Sequence, residues 1–478
     1  MPFLACETIK MRSGNNYLSS LKKFGAEIWL AGERVGDVTS NSAFRSCSRS
    51  IASLYDMQLE RPEQMTYRTE DGGRAGLSFI QPRTIDELRK RSRTMKTWAD
   101  FSGGMMSRSP EYLNVCIAAL AAARDFFAAS DPQFGGNIAN YYQQARKFDW
   151  CATLACGDPP PVVDQSRALR VVEKTPEGLV VSGARMLAVN APLSEELLVL
   201  PSSRLQAEPQ YESFAIAFAI RCNTRGLKFM CRDAFDPNRS HFDYPLSSRF
   251  EQMDCVAIFD SVTVPRDRVF LCGDIARCNA LFAETNANTH ALHQHVIRIT
   301  AKAEFMLGLA VRIAQVDGVN SAKVRERIEQ MDTTTKVLRA YIAQAEADAA
   351  LDKWGIMTPA RTPLDQAQRL FTNEYPQMIR TIQDIGSSNL VATPSERDFE
   401  SPMRPDLDRH YGGADTEARE RVALHRLAWD ATGSAFAGRQ TLSEQLKSDV
   451  SAGADTKSLS PDLAPFADRI VEFLERTD

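Results

Sequence analysis

Three long stretches, His290 to Val316, Ser321 to Asp352 and Leu364 to Ile385, carry apolar residues at i, i+3 and i+4 with charged opposite faces. Stripes of that length bury their apolar side by packing against one another, so any fold for this chain must contain a helical bundle. A different pattern precedes them. Between Gly178 and Leu271 the apolar residues fall in short β-rich runs, Leu179-Val-Val-Ser, Leu197-Leu-Val-Leu, Phe214-Ala-Ile-Ala-Phe-Ala-Ile and Cys255-Val-Ala-Ile-Phe, separated by Gly, Asp, Asn and Pro. Earlier still, from about Thr84 to Leu154, helical spacing dominates, with an Ala-rich segment from Tyr112 to Phe127. Pro159, Pro160 and Pro161 forbid a helix from continuing and mark a boundary. The order helices, β, helices predicts an α+β chain with a mainly helical N-terminal domain over 1–155, a central β domain over 156–280 and a C-terminal helical bundle over 281–478. The tail from Asp449 to Asp478 reads as a loosely held end with one short final helix.

Charge narrows the function classes. A net charge of −4, with no basic block or basic–aromatic stripe, points to small-molecule chemistry and away from nucleic acid or an anionic membrane. The first thirty residues lack the apolar core of a secretory signal, and no later run approaches a membrane span, so the chain is expected in the cytoplasm. Ten cysteines lie scattered without any CxxC, as expected of reduced core fillers. Neither a G-x-x-x-x-G-K-[ST] loop nor a G-x-G-x-x-G fingerprint occurs, so the electrons of any redox reaction are expected to come from elsewhere.

Four ordered segments resemble the 4-hydroxyphenylacetate 3-monooxygenase oxygenase family. They are Gly104-Met-Met-Ser-Arg-Ser-Pro-Glu-Tyr112; Asp243 to Asp254 with Ile258 to Val269; Ile382 to Leu390 with Pro394-Ser-Glu396; and Leu427 to Gln440. The resemblance implies an acyl-CoA-dehydrogenase-like fold whose central domain is a small β-barrel. It implies a homotetramer that takes up free FADH2 from a separate NAD(P)H:flavin reductase. In such enzymes oxygen adds at the flavin C4a, and the hydroperoxide hydroxylates a small molecule, commonly a phenol.

The same resemblance assigns site residues. Arg108 and Tyr112 are four apart at a helix start and are expected to line the pocket, the Arg as a charge stabiliser and the Tyr as a donor; read alone they are a cap with a surface Arg. Gly438, Arg439 and Gln440, with Ser434, Gln383 and Gly386, are the expected flavin contacts, a small-residue segment with an Arg for the pyrophosphate, or else simply a helix end. Leu154, Ala155, Cys156 and Val189 are assigned to the same cofactor wall. Ser203 and Arg204 match a loop over the substrate. In His290-Ala-Leu-His-Gln-His295, His293 and then His295 are candidates for a base that deprotonates a phenol, the alternative being a helix-start histidine bonded to backbone or water. No metal is expected.

Two positions depart from the family. Leu154 stands where the hydroxyphenylacetate enzymes carry a histidine, and Val189 where they carry a threonine, so the expected substrate is an aromatic or heteroaromatic compound of specialised metabolism other than 4-hydroxyphenylacetate. The alternatives are a flavin-dependent dehydratase-like lyase, which needs clustered cysteines near Met105 to Ser109 that the chain lacks, or a non-catalytic relative.

Overall fold

The computed structural model describes residues 11–159, 167–413, 416–445 and 464–475. The three C-terminal stripes are helices Ala287–Val316, Ala322–Ala347 and Arg361–Gly386, packed together with Ala418–Thr432. Their starts follow local chemistry: Ser321 accepts from the Val324 amide, as Thr84 does from Glu87 at the head of Ile85–Phe101. Pro110 and Pro132 occupy first turns, where the missing amide hydrogen is no loss.

The β region is larger than its sequence signal. Strands β1 (Glu27–Leu30), β2 (Glu33–Val35), β5 (Ala152–Cys156), β6 (Arg170–Thr175), β7 (Gly178–Val189), β8 (Glu196–Val199), β9 (Ile216–Arg221), β10 (Leu227–Cys231), β11 (Asp254–Pro265) and β12 (Val269–Cys272) make one sheet in the order β12-β9-β8-β5-β7-β11-β10-β1-β2, with β6 also on β7. A separate hairpin pairs β3 (Thr66–Arg68) with β4 (Arg74–Gly76). The N-terminal region is therefore not purely helical, since β1 joins the sheet beside β10. The segment read as helical up to Leu154 instead ends in β5, which runs across the expected 155/156 division. Pro160 and Pro161 lie outside the described residues, as does most of the tail, where the final helix is Ala464–Glu475.

The expected small barrel is not seen as a closed ladder: among the described residues the strand path has two ends, β12 and β2. The sheet nevertheless curls over on itself. Register shifts in β11, beside the positive-φ Ser261, sharpen its coil, and Phe218 of β9 meets Phe259 of β11 at 6.3 Å across the fold. Strands β8 and β9 are buried on both faces, Leu197, Val199 and Phe218 entering one core and Leu198, Ala217 and Ala219 the other. That double burial explains their unbroken apolar runs.

Candidate functional site

The turn before helix Pro110–Ala122 lies directly on helix Ala287–Val316. Gly104 makes this possible with φ +70, since a Cβ there would come within 2.5 Å of the Arg298 carbonyl oxygen. Buried Gln252 then clamps the turn. Its Oε1 accepts from the Ser107 amide at 2.6 Å and the Arg108 amide at 3.2 Å, and its Nε2 donates back to the Arg108 carbonyl at 3.2 Å. So held, the Arg108 guanidinium stacks 4.1 Å over the Tyr112 ring. Its Nη1 bonds the Ser107 carbonyl, and among the described residues it has no carboxylate partner, which leaves its charge available to a ligand. That charge pulls the Tyr112 phenol down, yet burial and the neighbouring Cys116 and Cys156 keep its pKa above the usual value.

The three clustered histidines part company on their helix. His295 and Tyr112 line a cavity of about 610 Å³ whose outer wall includes Arg361, Gln368 and Arg369. His293 is fully buried on another side, its Nε2 at 3.2 Å from Glu346. His290 sits near it, its Nδ1 accepting from Arg91 at 2.8 Å. Burial pushes His290 and His293 below the usual histidine pKa, and neither meets Arg108 or Tyr112. The structure thus favours His295 over His293 as a site residue. It also changes its chemistry: Arg298, which can only donate, points Nη2 at the His295 Nδ1 at 3.1 Å, so the neutral ring carries its proton on Nε2 and is a donor there.

On the sheet side, Leu154 and Cys156 alternate with buried Ala155 along β5, so Leu154 and Cys156 share one face and Ala155 turns into the sheet core. Tyr112, Leu154 and Leu205 pack against the same hydrophobic cluster. Ala155 pairs with Ala188 of β7, next to Val189, whose carbonyl accepts from Thr153 Oγ1 at 2.6 Å. Asp158 gathers the far rim, accepting from buried Arg185, from Ser202 Oγ and, at 3.0 Å, from Ser203 Oγ beside a second cavity of about 140 Å³. Arg204 is exposed.

The C-terminal segment closes the other side, with one change of role. Arg439 holds Asp254 through two bonds of 3.0 and 2.7 Å, so it is not the free pyrophosphate partner that the resemblance implied; among the described residues only its buried Nη1 lacks an acceptor. Gln440 bridges Lys302 at 2.8 Å and the Met105 carbonyl at 3.0 Å. Ser434 caps helix Ala435–Gln445, Gln383 donates to the Thr432 carbonyl, and Gly386 makes room for Leu390. The unsatisfied Arg439 donor and the open space beside Gly438 fit an anionic group of a cofactor, whereas Gln440 and Gly386 are occupied with packing. Sequence reasoning missed Gln252, Arg298, Lys302 and Glu444. A signal for one pair existed, since Arg298 and Lys302 lie four apart on a helix and share one face.

Helices, curled sheet and helical bundle in this order are the fold shared with a crystallised flavin-dependent oxygenase component, with which the chain superposes at a TM-score of 0.89. The chain belongs to the 4-hydroxyphenylacetate 3-hydroxylase family, whose N-terminal model matches residues 13–271 and whose C-terminal model matches residues 278–447. It is 42% identical to a 4-hydroxyphenylacetate 3-monooxygenase oxygenase component of Thermus thermophilus over 91% of each chain. It is 41% identical to one of a Geobacillus species over 90% of this chain and 89% of that protein. A crystal structure of such an oxygenase component complexed with FAD and 4-hydroxyphenylacetate superposes with a TM-score of 0.87 at 39% identity, covering 97% of this chain and 98% of that one. The chain is thereby a flavin-dependent monooxygenase using FAD and molecular oxygen.

Proposed function

We propose that this chain is the oxygenase of a two-component system, fed FADH2 by a separate reductase, that hydroxylates a phenolic or related aromatic compound other than 4-hydroxyphenylacetate and works as a homotetramer. The observation that carries the reading is Tyr112, stacked under the Arg108 guanidinium, lining a cavity together with His295 while packing against the same apolar cluster as Leu154. Reduced FAD, when bound, supplies the electrons and activates oxygen. The chain's own groups do the rest. The Arg108 charge stabilises a phenolate oxygen, Tyr112 and the His295 Nε2–H donate hydrogen bonds, and the apolar wall excludes water. Gln252 keeps Arg108 in place.

Leu154 and Val189 set the substrate. A phenol hydroxyl placed against them would be buried without a partner at a cost of about 1–3 kcal/mol, so simple 4-hydroxyphenylacetate binds poorly. The test is product formation from a panel of phenols with NADH, FAD and a flavin reductase, comparing the wild type with a Leu154→His, Val189→Thr double variant. Gain of 4-hydroxyphenylacetate hydroxylation only in the double variant is expected. Efficient hydroxylation of that compound by the wild type would remove the substrate reading, and a tightly held FAD reduced directly by NADH would remove the two-component one.

A further inference from the structure

Glu111 stands beside Tyr112 in the chain but is not among the residues lining the cavity, its carboxyl bonding Gln294 of helix Ala287–Val316. Its carboxyl is completely buried and makes no ion pair among the described residues. One oxygen is well supplied: Oε1 accepts from Ser109 Oγ at 2.6 Å and from Gln294 Nε2 at 3.0 Å. Among the described residues the other, Oε2, is buried without a partner, and so is the Oε1 of Gln294. Two orphaned acceptors, one on each of two side chains already joined by a hydrogen bond, have a single economical resolution. A proton on Glu111 Oε2 donates to Gln294 Oε1 and closes a paired acid–amide hydrogen bond, leaving neither atom unsatisfied.

We propose that Glu111 is held as a neutral carboxylic acid paired with the Gln294 amide, and that it is a positioning residue fixing the Arg108–Tyr112 turn against the helix that carries His295. This rests on the site assignment above. Burial agrees with it, pushing the carboxyl up to about 7 against the opposing pull of Ser109, Gln294 and the Arg298 charge. Of the charged or titratable groups on the elements around this turn, Lys302 holds Glu444, His290 meets Arg91 and His293 meets Glu346, while Arg108 on the turn itself stacks over Tyr112. Arg298 holds Glu444 and His295, Arg277 holds Asp274, and the Cys156 thiol is directed at the Leu187 carbonyl. Loss of the proton would set a carboxylate oxygen against an amide oxygen in a dry seam and push apart the two elements that position the site.

Gln at position 111 reproduces the donor and acceptor pattern of the neutral acid and cannot ionise, whereas Ala removes both. Infrared titration of the flavin-free protein is the first measurement, since it needs neither cofactor nor substrate. A carboxylic acid carbonyl band is expected in the wild type at pH 6 and absent from Glu111→Gln; a wild-type spectrum showing position 111 ionised at pH 6 would overturn the proposal. The second measurement is the pH profile of FADH2-supported turnover on whichever phenol the panel identifies. Wild-type rates should fall about tenfold per pH unit above the titration, with Glu111→Gln flat over the same range and Glu111→Ala slow throughout. A Glu111→Gln profile as pH-dependent as the wild type, or a rate as low as that of Glu111→Ala, would also overturn it. Should no phenol be turned over at all, the function reading fails while the infrared result still decides the state of Glu111.

Discussion

At the scale of single residues, identity alone did not separate the histidines. His290, His293 and His295 share a helix and similar neighbours in sequence, and only the rotation of that helix sends His295 to the Tyr112 cavity and His293 to Glu346. The tautomer imposed by Arg298 makes His295 a donor. His295→Ala is therefore expected to slow hydroxylation on the order of 10²-fold at every pH, with an unchanged profile. His293→Ala should leave the rate within a few-fold and lower stability instead, because Glu346 loses its buried partner. The measurement is kcat against pH for both variants; a lost ascending limb in His293→Ala would restore it as the base. Arg108 and Tyr112 were marked as a site pair by the family resemblance, their spacing alone fitting a helix cap as well, whereas Gln252, which fixes them from 144 positions away, was not marked.

At the scale of elements, helix ends show how local chemistry and burial compete. Helix Pro132–Phe148 stops at Asp149, which takes φ +49 and buries its carboxyl against Gln58, with Oδ1 lacking a partner. Burial raises its pKa from 3.8 to about 6, although the Arg12 charge pulls the other way. A raised carboxyl favours the folded state below 3.8, and that contribution is lost as pH rises through about 6. Asp149→Asn tolerates the same backbone, keeps an acceptor for Gln58 and does not ionise. It should exceed the wild type in stability above pH 6 by on the order of 1–3 kcal/mol, with the gap closing toward pH 4. Urea unfolding at several pH values checks this, and a pH-independent difference would refute it. The sequence located the long helices and four strands. It missed β1, β2, β5, β6, β10 and β12 of the sheet, whose short runs acquire strand structure from the neighbours they pair with.

At the scale of the whole molecule, the four segments that carry the family resemblance form one hydrogen-bonded assembly. Gln252 meets Arg108, Arg439 meets Asp254, Gln440 meets Met105, Asp430 accepts from the Leu246 and Ser247 amides, and Gln383 reaches Thr432. At its centre Glu444 is fully buried between Arg298, at 2.8 and 2.7 Å, and Lys302, whose pKa burial lowers to about 8. Glu444→Gln would strand two buried cations and is expected to cost about 3–5 kcal/mol, measured by urea unfolding; a loss under about 1 kcal/mol would show the cluster to be solvated. The amphipathic periods and β-rich runs determined the α+β class and the order of its regions, because those patterns are written in neighbouring residues. The family resemblance, and not spacing or composition, marked Arg108, Tyr112 and the Gly438–Gln440 segment. Only the tertiary structure decided that, among the described residues, the sheet curls without its ends pairing, that Arg439 serves Asp254, and which histidine reaches the cavity. Each of these depends on partners far away in the chain, and the orientation of a side chain in a packed interior is set by what it packs against, not by the residues beside it.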